Sequence, residues 1–162
     1  MVTINVAYTQ AVNPAGVTPV LTREQIWAGM EGKVRRAHEF VPVFADCKVI
    51  EEHDNVVVRE TTLKPMEGRP GKTQQETCRL YKPVKVDFHE PSGCVFTNML
   101  SDGPAMTDEE LQMTYFFEWP HPDIEAGSDI EKELTEQHKK RGKMSVEKAI
   151  EAIRRMVVAG KL

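Results

Sequence analysis

Three cysteines in 162 residues, Cys47, Cys78 and Cys94, are too few and too widely spaced for a disulfide framework or a zinc ligand set. No arginine-rich tract or basic arm occurs. The 21 basic and 25 acidic side chains leave a net charge of −4 and a pI near 5.8, which excludes a nucleic-acid binder driven by phosphate contacts. No apolar run approaches the roughly 18 residues of a membrane span. The start, Met1-Val2-Thr3-Ile4-Asn5-Val6, has neither the basic nor the apolar region of a signal peptide. A reducing, cytoplasmic setting is therefore the expectation. Chemical motifs are missing too: there is no G-x-G-x-x-G, G-x-S-x-G or H-E-x-x-H. Gly71-Lys72-Thr73 imitates the end of a P-loop, but Met66 stands where its first glycine belongs. No two of His38, His53, His89, His121 and His138 stand three or four apart, so neither a metal nor a cofactor is implied.

What is present suffices for one domain over residues 1–162. Forty per cent of the residues are hydrophobic and 28% charged, and a chain this long buries about 68–70% of its unfolded surface without metal or disulfide support. Residues 3–12 alternate, with Ile4, Val6, Tyr8 and Val12 against Thr3, Asn5 and Thr9, which predicts a half-buried strand ending at Asn13-Pro14-Ala15-Gly16. Thr22 and Gln25 make a capping box that opens a helix with the stripe Ile26, Trp27, Met30, Val34 and Ala37, weakened by Gly29 and Gly32 and stopped by Pro42. Six short β-like runs follow, at 47–53, 55–64, 73–82, 84–89, 94–101 and 111–119. Turn signals separate them, among them the stretch 64–71, and none of the gaps admits a crossover helix. Consecutive strands are thus predicted to be antiparallel neighbours, seven in all with the first.

A second capping box, Ser128 with Glu131, precedes a helix predicted over 129–159, about 45 Å long at 1.5 Å per residue. Residues 130–162 hold nine basic and five acidic side chains, a net +4 that leaves −8 for the rest. The simplest reading of that basic face is a solvated outer surface. Its inner stripe is Ile130, Leu134, His138, Gly142, Ser145, Ala149, Ile153 and Met156, large at both ends and small or polar in the middle. Glycine inside a helix costs about 1 kcal/mol relative to alanine. Either the thin middle leaves room for a kink or a ligand, or a bulky strand residue such as Phe117 fills it.

On the last strand Met113, Tyr115, Phe117 and Trp119 share one face, which reads as the apolar, concave side with a single hydroxyl in it. Asn98 lies between Phe96 and Leu100 on one face of its strand, where its amide meets either a ligand or backbone. Val58 and Glu60 face opposite to Val57 and Arg59, and the pattern leaves open which set turns inward. Whichever of Glu60 or Arg59 enters the interior must be paired or carry a shifted pKa. His121, between two prolines, reads as shaping a turn or meeting solvent, whereas His138 sits on the inner helix stripe.

The order strand, helix, six strands and long C-terminal helix resembles the helix-grip fold of the START/SRPBCC superfamily, to which the birch-pollen-allergen-like proteins belong. Within it, Leu21-Thr22-Arg23-Glu24-Gln25-Ile26-Trp27, Val57-Val58-Arg59-Glu60 and Tyr115-Phe116-Phe117-Glu118-Trp119-Pro120-His121-Pro122-Asp123 resemble the family named after AtaL. The resemblance implies an α+β domain whose seven-stranded curved antiparallel sheet grips the helix around an internal, mainly apolar cavity. It implies as function the binding of a hydrophobic small molecule, polyketide-, lipid- or other secondary-metabolite-like. Trp27, Met30, Val58, Glu60, Phe96, Asn98, Met113, Tyr115, Phe117, His138, Gly142, Ser145 and Ile153 are the expected lining. The alternative is a cyclase, isomerase or dehydratase of secondary metabolism in the same cavity, with Tyr115, His138 and Glu60 or Arg59 moving protons. A third reading is an interaction module that uses the basic helix face, with a second copy of the chain among its partners.

Overall fold

In the computed structural model, which describes every residue except 67 and 69, the alternating segments form seven strands. These are β1 (Val2–Ala11), β2 (Phe44–His53), β3 (Val56–Leu63), β4 (Lys72–Tyr81), β5 (Lys85–His89), β6 (Val95–Ser101) and β7 (Gln112–His121). Two residues of the expected 64–71 turn thus lie outside the described residues. The strands make one antiparallel sheet in the order β1-β7-β6-β5-β4-β3-β2. β2 to β7 is a meander, and β1 closes it by pairing with β7, with Ile4 opposite Trp119, Val6 opposite Phe117 and Tyr8 opposite Tyr115. Register shifts between Phe44 and Asp46 and between Val49 and Glu51 place bulges in β2, which bend that edge. This is the expected α+β helix-grip architecture, a curved sheet against a long C-terminal helix.

Helix α1 (Arg23–Arg35) opens on the Thr22–Gln25 capping box, with both reciprocal hydrogen bonds made. It ends seven residues before Pro42. Arg36 leaves helical geometry, and the guanidinium of Arg59 donates to the carbonyls of Lys33 (2.9 Å) and Val34 (3.0 Å), replacing the backbone donors of another turn. A separate short turn, α2 (Ala37–Phe40), follows. Gly29 and Gly32 do more than weaken α1. A Cβ on Gly29 would lie 2.5 Å from Ile153 Cγ1, and one on Gly32 would lie 2.7 Å from Phe40 Cζ, so both glycines permit close approach.

Helix α3 (Asp129–Val158) starts at Ser128, whose hydroxyl accepts from the Glu131 N–H. The Glu131 carboxylate accepts from Gly127 rather than from Ser128, so the expected box is displaced by one residue. The helix stops at Gly160 (φ +68°), where the N–H groups of Gly160 and Lys161 donate to the carbonyls of Val157 and Met156 in a Schellman arrangement. Its buried stripe is His138, Gly142, Val146, Ala149, Ile150, Ala152, Ile153 and Met156. Three expected members differ. Ile130 is exposed, Leu134 is half-buried against the edge of the core, and Ser145 is replaced inside by Val146. The Ser145 hydroxyl instead donates back to the Arg141 carbonyl at 2.8 Å.

Candidate functional site

The inward face of the sheet is set by register. Val57, Arg59 and Thr61 on β3, Gln74, Glu76, Cys78 and Leu80 on β4, Val86 and Phe88 on β5, and Asn98 and Leu100 on β6 are all buried. Pairing carries this face across the sheet: Asn98 lies opposite Tyr115, Phe96 opposite Phe117, and Arg59 opposite Glu76. Val58 and Glu60, expected as lining, therefore point to the other, half-exposed face. The side-chain period of two allows only one of the sets to be inside, and Arg59 takes the place offered to it or to Glu60.

One half of this interior is aromatic. Phe117 stacks on Trp119 (centroids 4.7 Å, 5° between planes), Trp119 stacks on His138 (4.0 Å), and Phe96 and Tyr115 meet Phe117 edge-on at 5.5 and 6.1 Å. Of the two readings of Gly142, the structure takes the filled one. A Cβ there would lie 3.2 Å from Phe117 Cε2, so the ring occupies the space beneath the thin middle of α3. Two open concavities lie on the outside of α3. One is a groove of about 400 Å³ bounded by Gln10, Val12, Pro14, Ile150 and Arg154, and the other lies at the end of α3 around Glu39, Arg155 and Lys161. Met30 and Met113 are buried in the core, and Ile153 is committed to Gly29 at the α1–α3 contact. Trp27 is buried, and its Nε1–H has no hydrogen-bond partner among the described residues.

The other half is polar. Arg59 Nε and Nη2 donate to Glu76 Oε2 at 2.8 and 2.6 Å, while Thr61 and Gln74 donate to Oε1, both at 2.9 Å. This pair is saturated and ties β3 and β4 to the end of α1. Between the two halves stands Lys33. The residue as a whole is half-buried, and its ammonium is the enclosed end. Nζ donates to the Tyr115 hydroxyl at 3.2 Å and lies 4.6 Å from the Tyr115 ring centre and 5.4 Å from that of Phe88. Burial, reinforced by the Arg59 charge, brings the Lys33 pKa down to about 7. Burial also pushes the Tyr115 phenol well up, so it keeps its proton, and takes the Cys78 thiol up to about 12.

A histidine pair closes the far end. His121, at the last position of β7 opposite Val2, places Nε2 3.0 Å from Nε2 of His138. Half-buried at the interior rim, it also opens the turn after β7, its carbonyl accepting from the Ile124 N–H at 3.3 Å. Burial lowers the His138 pKa, and the neighbouring His121 and Arg141 lower it further. Among the described residues no three His, Cys, Asp or Glu side chains are grouped to hold a metal ion. Tyr115, Asn98, Phe96, Phe117 and His138 are therefore brought together as read from sequence, whereas Lys33, Glu76 and His121 were not foreseen. Lys33 had a signal, since it follows Ile26 and Met30 at the i, i+4, i+7 spacing of the buried stripe.

The profile of the family described as acetylaranotin biosynthesis cluster protein L matches residues 6–160. A protein of Aspergillus terreus with that description is 26% identical over 162 residues, covering 99% of this chain and 94% of its own length. Among solved structures, the Zhui aromatase/cyclase from a Streptomyces species superposes with a TM-score of 0.66 at 16% identity, covering 99% of each chain. The di-domain ARO/CYC StfQ from the steffimycin biosynthetic pathway superposes with a TM-score of 0.69 at 10% identity, over 97% of this chain and 52% of that one. At such identities these two likenesses are likenesses of fold.

Proposed function

The chain belongs to the family described as acetylaranotin biosynthesis cluster protein L, and from that premise we propose that it binds an aromatic or polyketide-like secondary metabolite between its concave sheet face and helices α1 and α3. One observation carries this reading: a phenol and an amine, Tyr115 and Lys33, meet on a wall otherwise made of aromatic rings. Apolar walls with a few convergent polar groups are the usual form of a small-molecule site. Phe96, Met113, Phe117 and Trp119 supply contact area. Tyr115 and the amide of Asn98, opposite it in register, orient a ligand oxygen. The indole N–H of Trp27, without a partner among the described residues, supports the reading, because such a group costs about 1–3 kcal/mol until an acceptor meets it.

The second reading, a cyclase, isomerase or dehydratase acting in the same place, is favoured by the Lys33–Tyr115 pair, whose amine exchanges protons near neutral pH. Native mass spectrometry of the purified protein is expected to show a retained aromatic small molecule. Naphthol, an aromatic bearing one hydroxyl, should bind saturably by fluorescence titration, about tenfold more weakly to Tyr115→Phe. A folded wild-type protein that retains no small molecule and does not saturate with naphthol would overturn the binding reading.

A further inference from the structure

We propose that Lys33 is a nucleophilic amine that condenses with a β-dicarbonyl compound, with Tyr115 as its proton donor and acceptor. The substrate class rests on the binding reading above, and the amine chemistry rests on the surroundings of Nζ. Lys33 makes no ion pair among the described residues, and the one carboxylate on the same inner face nearby, Glu76, is already saturated by Arg59, Thr61 and Gln74. A second cation stands beside it, since Arg59 Cζ lies 4.9 Å from the Phe88 ring that Lys33 also faces. A desolvated amine next to another cation and without a counter-ion is the arrangement that activates lysine toward carbonyls. A lysine kept only for stability would be better placed with a carboxylate, because an unpaired buried charge is costly.

The titratable groups facing Nζ are Arg59 from β3, Glu76 and Cys78 from β4, and Tyr115 from β7. Arg59 and desolvation favour the neutral amine, and Glu76 and Cys78 oppose them. In the condensation Nζ attacks one carbonyl carbon and forms the C–N bond. The Tyr115 hydroxyl gives its proton to the developing alkoxide and recovers one from Nζ, yielding a carbinolamine. Loss of water breaks the C–O bond, and transfer of a proton from the methylene between the two carbonyls gives a conjugated enaminone. The sum is amine plus diketone to enaminone plus water, with no change of oxidation state. The Asn98 amide, opposite Tyr115, is placed to hold the second carbonyl oxygen. The carbon between the carbonyls is thereby made an enamine nucleophile, the species needed for aldol ring closure.

The test uses acetylacetone on the whole chain, read by intact mass and peptide mapping. The expected product is one adduct, of the diketone's mass less one water, on Lys33. Its rate should rise with pH around a midpoint near 7, against about 10.4 for ordinary lysines. Tyr115→Phe should slow it about 100-fold, and Lys33→Arg should abolish it. Because the site selectivity and pH midpoint are measured on wild type, the inference survives a variant that fails to fold. Labelling confined to surface lysines, or labelling of Lys33 no faster than theirs at neutral pH, overturns it. Saturable naphthol binding without labelling of Lys33 rejects the amine and leaves the binding reading standing. Selective labelling of Lys33 without naphthol binding supports the amine and rejects the binding reading.

Discussion

Arg59 makes four hydrogen bonds from a position only 3% exposed, two to Glu76 and two to the last carbonyls of α1. Its role follows from what each bond closes. The carbonyls of Lys33 and Val34 have no further helical N–H to receive, and the Glu76 carboxylate is buried, so one guanidinium serves both. The same bonds hold the backbone of Lys33, so the reach of its amine to Tyr115 depends on Arg59. Replacing Arg59 with methionine strands Glu76 and is expected to cost about 3–5 kcal/mol in urea denaturation. The double variant Arg59→Met with Glu76→Gln should recover part of that loss, since the stranded charge is its main source. A double variant less stable than Arg59→Met alone would show that Glu76 is supported by something other than this pair.

At the scale of elements, the two helices and the sheet are held apart by distances that glycines set. Gly29 lets α1 approach α3 until the Ile153 side chain fills the place of a Cβ, three of its atoms lying within 3.0 Å of that position. Gly29→Ala gains helix propensity of about 1 kcal/mol but must push Ile153 away, and overpacking costs about 1–3 kcal/mol. The expected outcome is a lower melting temperature for Gly29→Ala, restored in part by adding Ile153→Val. A Gly29→Ala protein as stable as wild type would mean that the helices are free to separate. This contact also marks the limit of reading from sequence. The caps on Thr22 and Ser128, the seven alternating runs and the long last helix were legible because they depend on neighbours two to four positions away. The end of α1 at Arg35 was not, because Arg59, which takes its carbonyls, is more than twenty residues along the chain. Nor was the choice between Arg59 and Glu60, since valines lie on both faces of β3.

For the whole molecule the question is how a sheet and helix that already fill the space between them admit a ligand. The aromatic set was legible from the period of two in β7, but its closure onto α3 was not: the meeting of Phe117 with Gly142, and of His121 with His138, is fixed by where α3 crosses the sheet. Phe117 is the plug. It is buried, stacks on Trp119, meets Tyr115 and Phe96 edge-on and lies under Gly142. Truncating it to alanine is expected to cost about 3–5 kcal/mol, because the transfer energy of the ring is lost and a void is left. The void would be apolar and next to Tyr115, so a ligand that fills it regains part of the loss. A ligand that binds only the folded state stabilises it by about 2.7 kcal/mol at 100 times its Kd. Naphthol should therefore raise the melting temperature of Phe117→Ala by more than it raises that of the wild type, because in the variant it no longer has to displace the ring. Equal shifts in the two proteins, with the variant destabilised as expected, would place the ligand away from the layer beneath α3 and return attention to the open grooves along the outside of the helix.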